Sequence, residues 1–156
     1  MVKKLDTYIN SNRTNIEKEI ENWVTTQLLD DDSKYYTLPS INEVYDISVV
    51  YVKVSYNKYL LTYMDKNEYI ATEMDFEISY QVDILTDDED TMYKDDDTKE
   101  WKYFETTNVS VKDRRNVKAD VIFYLENSKI NDFEVEKVNK GKDLIIRSGK
   151  MDEDGT

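Results

Sequence analysis

The stretch from Ile70 to Leu85 alternates without a slip. Even positions read Ile70, Thr72, Met74, Phe76, Ile78, Tyr80, Val82, Ile84; odd positions read Ala71, Glu73, Asp75, Glu77, Ser79, Gln81, Asp83, Leu85. A period of two puts successive side chains on opposite faces of a strand, so this run predicts a long strand with one apolar face and one acidic face. Strands of such length usually bend or bulge. An apolar sheet face needs a cover, and the chain has one before it. Leu5, Tyr8, Ile9, Ile16, Ile20, Trp23, Val24 and Leu28 fall at helical spacing and predict an amphipathic helix over residues 3–29. A break is expected at Asn10–Asn12, because Thr14 and Glu17 match a capping box that would start a second helix.

Beyond Pro39 the period is two. Residues 43–56 predict a strand, apolar on both faces and hence expected to be central, with 59–64 as its extension or a second strand. Asp65-Lys66-Asn67 reads as a turn with Asn67 left-handed. Residues 86–100 break the pattern and read as an acidic loop. Strand patterns return at 101–111, 117–125 and 130–138, with Lys112, Arg114, Arg115 and Lys118 expected around a basic turn. Consecutive strands without helical crossovers pair antiparallel. The expected architecture is therefore α+β: one N-terminal helix, or two, on a mostly antiparallel sheet of five or six strands. The expected organisation is a single domain over residues 1–150 and a tail at Met151–Thr156.

Composition excludes several chemistries. Among the 156 residues there is no Cys and no His, so there is no thiolate or imidazole to serve as nucleophile, base or metal ligand. The three glycines, Gly141, Gly149 and Gly155, leave no phosphate-cradling loop between a strand and a helix. No apolar run reaches the roughly 20 residues that span a bilayer. No signal-peptide core follows Met1, and the expectation is a cytoplasmic protein. Two alanines against twelve asparagines and thirteen tyrosines fit an AT-rich genome, such as that of a low-GC bacterium or its phages.

Net charge is −13, and it is unevenly placed. Residues 73–100 hold twelve acids and two lysines, whereas residues 101–150 hold eleven bases and eight acids. Such a balance disfavours direct contact with a nucleic-acid backbone or an anionic membrane and favours a basic partner. The candidate binding residues are Glu73, Asp75, Glu77 and Asp83 on the strand, with Asp87, Asp88, Glu89, Asp90, Asp95, Asp96 and Asp97 in the loop.

Three readings compete with a merely solvated face. A calcium loop starting at Asp88 or Asp95 fails, because Met92 or Lys99 falls at a ligand position and Tyr93 or Glu100 where glycine is needed. A magnesium nuclease would use Glu100 and Lys102 with Asp83 and Asp95–Asp97. A nucleic-acid mimic would present the strand-spaced carboxylates to a basic groove, as an anti-defence inhibitor does. The first-choice reading is a non-enzymatic protein-binding or regulatory domain, with no catalytic residue, no cofactor and no metal. The tyrosines of the first half, Tyr35 to Tyr69, read mostly as cross-strand pairs.

The order of features also resembles a known family. A helix ending in Asp-rich sequence precedes Ile47-Ser48-Val49-Val50-Tyr51-Val52-Lys53-Val54 and the strand Met74 to Asp83. An acidic insert with Tyr93, then Trp101-Lys102-Tyr103-Phe104, the pair 109–111 and 117–125, and Ile130-Asn131-Asp132-Phe133-Glu134-Val135 complete it. Over about residues 15–138 this is similar to the acidic, β-rich C-terminal region of bacterial PIN-domain proteins. The PIN nuclease domain and its metal-binding acids are absent. The resemblance implies an accessory domain that regulates or recruits, and it carries over no catalytic residue.

Overall fold

The computed structural model describes residues 2–30, 44–88, 91–103 and 105–146. Its elements run α1 (Val2–Leu29), β1 (Asp46–Asp65), β2 (Tyr69–Asp87), β3 (Met92–Lys94), β4 (Trp101–Tyr103), β5 (Thr106–Glu126) and β6 (Lys129–Val138). The helix packs on an antiparallel sheet, the expected α+β arrangement. That sheet has four strands in the order β1-β2-β5-β6, and β3 and β4 form a separate two-stranded ribbon.

β2 matches the sequence reading position by position. Every even residue from Ile70 to Thr86 is buried and every odd one is half-buried. The helix is one piece, contrary to the expected break. Asn12 Nδ2 donates to the Tyr8 carbonyl at 2.9 Å, and Arg13 pairs with Glu17 at 3.0 Å, one turn on. Glu17 is thereby drawn away from any capping box: its Oε2 accepts the Tyr56 backbone N–H of β1 at 2.7 Å. Arg13 Nη2 also donates to the Tyr56 carbonyl at 3.3 Å. Two helix side chains therefore hold both backbone polar groups of one β1 residue, Tyr56.

β1 is an outer strand of the sheet, not a central one. None of its residues is buried. Its alternation of half-buried and exposed positions changes phase at Tyr51/Val52, at Asn57/Lys58, at Thr62/Tyr63 and at Met64/Asp65, as an extra residue in a strand produces. Those slips scatter apolar residues onto both faces, which imitates the pattern of a central strand. The turn to β2 needs no left-handed residue. Asp65 Oδ1 accepts the Asn67 N–H at 3.0 Å, and φ of Asn67 is not positive.

β5 is one strand where the sequence suggested two and a basic turn. Its inward positions alternate from Val109 to Leu125, but Asp113 and Arg115 occupy two of them and hide the period. The hairpin to β6 turns at Asn127 and Ser128, both with positive φ, as a tight two-residue hairpin requires.

Contacts gather into two compact units. The first takes Met1–Thr25, Val52–Ser79 and Arg114–Asp143. Its core joins Leu5, Ile9, Ile16 and Ile20 of α1 to Ile70, Met74, Phe76 and Ile78 of β2 and to Val117, Val121 and Phe123 of β5. Tyr8 meets the edge of Phe123 with ring centres 5.9 Å apart, and buried Thr72 donates to the Val121 carbonyl at 2.9 Å. Full burial stabilises each such side chain by about 1.5–3 kcal/mol. The second unit takes Thr26–Tyr51, Tyr80–Asp113 and Leu144–Thr156. Leu28, Tyr80, Val82, Ile84, Val111, Leu144 and Ile146 are buried there. Gln27 Oε1 accepts the Leu144 N–H at 2.9 Å, and Tyr80 donates to buried Asp113 at 3.4 Å.

Candidate functional site

The candidate carboxylates fall into two settings. In the first unit, Glu73, Asp75 and Glu77 stand on the half-buried face of β2, two residues apart. That spacing repeats every ~7 Å along a strand. Each meets a side chain from a flanking strand. Lys118 Nζ lies 3.6 Å from Glu73 Oε1, Asn57 Nδ2 donates to Asp75 Oδ2 at 3.2 Å, and Arg114 Nη2 donates to Glu77 Oε1 at 2.7 Å. The Arg114 guanidinium is held above its ordinary pKa by Glu77. Arg114 and Lys118 thus answer the acids of β2 rather than forming a basic turn. A cleft of about 270 Å³ opens in this region, lined by Lys58, Tyr59, Leu60, Glu73, Asp75 and Lys118.

In the second unit, Asp83 accepts a short hydrogen bond from Ser110 Oγ. Tyr45 Oη donates to Asp87 at 2.8 Å. Asp88 works through its backbone, donating its N–H to the Glu105 carbonyl at 2.9 Å and accepting from Thr91 at 3.0 Å. Glu89 and Asp90 lie outside the described residues, as does the tail at Met151–Thr156.

The expected loop over residues 86–100 contains a strand. Met92–Lys94 pairs antiparallel with Trp101–Tyr103, leaving Asp95–Glu100 as the hairpin's connection. Asp95 organises this loop. Its Oδ1 accepts the N–H groups of Asp97 at 2.8 Å and Thr98 at 3.2 Å, and its Oδ2 takes Lys102 Nζ at 3.1 Å. The two backbone donors, then Lys102, hold its carboxyl below the usual aspartate range. The Lys102 ammonium is raised in turn by Asp95. The Asp95 N–H donates to the Glu100 carbonyl at 2.8 Å, and Lys99 takes a left-handed φ of 63° in a loop without glycine. Asp96, Asp97 and Glu100 are left exposed, and their carboxylates make no ion pair among the described residues.

Lys102, the lysine of the nuclease reading, is thus paired with Asp95. Among the described residues no group of three acids is placed to hold a metal ion. No helix of the described residues is long and apolar enough to cross a membrane.

Sequence reasoning located the acids but missed their partners. Asn57, Ser110 and Tyr45 come from residues 18, 27 and 42 positions away. Only Lys118 and Arg114, at alternating outward positions of β5, left a readable trace. Comparison with family models, with curated proteins and with solved structures gives no match. The likeness to PIN-associated regions rests on the residue pattern alone.

Proposed function

We propose that this chain is a non-enzymatic protein-binding or regulatory domain of the cytoplasm, engaging a basic partner through the acidic β3–β4 hairpin. The observation that supports this reading is the tip of that hairpin. Asp95 folds inward to build the turn, and Asp96, Asp97 and Glu100 stand exposed around it. An ordered loop loses less conformational entropy on binding than a floppy acidic run. Carboxylates without ion pairs are free to steer a cationic face. The β2 acids suit this role less, since each already meets a neighbour from β1 or β5. For the same reason the mimic reading loses its strand-spaced row. The role agrees with what the PIN-associated resemblance implies.

The test is a pull-down from a low-GC bacterial lysate across a salt series, with the wild-type chain beside Asp96→Lys/Asp97→Lys/Glu100→Lys. The reading predicts a basic protein that elutes as salt rises and is absent from the variant lane. Equal capture by both chains would remove the hairpin from the argument.

A further inference from the structure

Another cavity of the first unit, of about 420 Å³, lies where α1 meets the start of β6. Lys3, Lys4 and Lys129 line it, together with Thr7, Ser11, Tyr8 and Ile130. Positions 3, 4, 7, 8 and 11 share one face of a helix, because they recur at spacings of three and four. The third lysine is brought in by the β5–β6 hairpin. Asn127 and Ser128 take the left-handed φ of its tight turn, Lys129 follows directly, and Lys4 Nζ donates to the Ser128 carbonyl at 3.4 Å. Tyr8 is seated by its edge-on contact with Phe123.

The lining carries three cations and no acid. That inverts the sign of a chain whose net charge is −13. The 270 Å³ cleft of the same unit shows the mixed alternative, with Glu73 and Asp75 beside Lys58 and Lys118. The neighbouring acids are engaged elsewhere. Asp6 accepts the Tyr59 hydroxyl of β1 at 2.7 Å. Glu126, opposite Lys129 in the register, accepts Asn131 Nδ2 at 2.7 Å, and Asp132 accepts the Phe133 N–H at 2.8 Å. None of the three lysines makes an ion pair among the described residues. The positive end of the α1 dipole adds to the same field. A concave, cation-lined site focuses that field and concentrates small anions. Burial, and then Asp132, push the Tyr8 phenol up, so it remains a hydroxyl at neutral pH.

Charge count and size narrow the ligand. A carboxylate brings one negative charge and two oxygens to three ammonium groups. A phosphate monoester brings nearly two charges and three terminal oxygens. Phosphate alone takes the room of only a few waters of ~30 Å³ each and leaves most of the cavity over. Tyr8 and Ile130 give the remainder a wall, and an aromatic ring favours a planar partner. A polyanion would also meet the acids elsewhere on the chain, which a small molecule avoids. We propose that this cavity binds a small phosphate monoester with a planar body, its phosphate among Lys3, Lys4 and Lys129 and its body against Tyr8 and Ile130.

The test records amide NMR spectra of the full chain at fixed ionic strength with AMP or phenyl phosphate up to about 10 mM, a range suited to a ligand of few contacts. Adenosine and inorganic phosphate are the controls. The expected result is saturable shifts confined to residues 3–11 and 128–130 with at least one of the two monoesters. Adenosine should give none at the same concentration, and inorganic phosphate should bind about tenfold more weakly or worse, since it lacks the contact with Tyr8 and Ile130. Lys3→Gln/Lys129→Gln should weaken monoester binding by about tenfold or more. These two side chains are exposed, so the variant should melt with the wild type. Lys58→Gln/Lys112→Gln makes the same change in net charge outside the cavity and should alter the affinity by less than about twofold, because distant charges are screened. Absence of saturable shifts with both monoesters would overturn the proposal. So would equal shifts with adenosine, inorganic phosphate binding as tightly as the monoesters, or equal weakening by the two lysine pairs. The hairpin lies outside this cavity, so loss of its partner in the salt-series experiment bears on the other reading alone.

Discussion

The carboxylates of β2 and those of the β3–β4 hairpin differ in what surrounds them. On β2, Glu73, Asp75, Glu77 and Asp83 are half-buried and each meets Lys118, Asn57, Arg114 or Ser110 from a flanking strand. On the hairpin a single residue, Asp95, takes the structural role, and Asp96, Asp97 and Glu100 carry their charge into solvent. Two acidic stretches of sequence therefore serve different ends. A strand places its acids beside two neighbours and makes cross-strand pairs from them. A tight turn needs one acid to hold its amides and leaves the rest exposed.

The comparison can be broken most forcefully from the inner face of β2. Phe76→Ala removes a fully buried ring that also meets Tyr56 edge-on at 6.0 Å. It should lower stability by about 3–5 kcal/mol in denaturant melts. Neutralising the hairpin tip with Asp96→Asn/Asp97→Asn/Glu100→Gln should move the same melt by no more than about 0.5 kcal/mol. A hairpin variant that unfolds the chain would mean the tip is structural after all.

A smaller effect is expected where α1 holds β1. Glu17→Ala leaves the Tyr56 N–H without its 2.7 Å acceptor and should cost about 1–3 kcal/mol. It also uncovers part of an outer strand, so size-exclusion chromatography should show added self-association. An unchanged melt and an unchanged elution volume would show that the helix does not guard this edge.

The smallest effect is local and pH-dependent. The Asp95 carboxyl is held low in the folded chain, so its turn contributes fully above the ordinary aspartate pKa. That contribution is lost as pH falls through the lowered value. Acidification should therefore release the Asp97 and Thr98 amides to faster hydrogen exchange. Tyr59 gives the opposite sign at the alkaline end. Burial and its bond to Asp6 push its phenol up to about 12, so its contribution fades as pH rises from the ordinary tyrosine pKa toward that value. Tyr59→Phe should flatten the alkaline limb of the stability curve.

How much of this was legible follows the range of the interactions. β2 could be read residue by residue because its period is local and nothing interrupts it. α1 was read in place, but its expected break was an error of context: Glu17 found Tyr56, 39 residues on, and not the Thr14 cap. β1 read as central because repeated phase slips spread Val and Tyr over both faces. β5 read as two strands because Asp113 and Arg115 point inward where the pattern expects apolar residues. Three-residue strands such as β3 carry no periodicity at all. Which acids are tied and which are exposed depends on cross-strand neighbours, and no local pattern records those.

The most direct measurement is an amide NMR titration of the full chain with an arginine- and lysine-rich peptide, run at low and at high salt. The account predicts shifts centred on residues 95–100 that fade as salt rises, with little change along residues 73–83. Shifts centred on the β2 face, or an equal response at both salt levels, would contradict it.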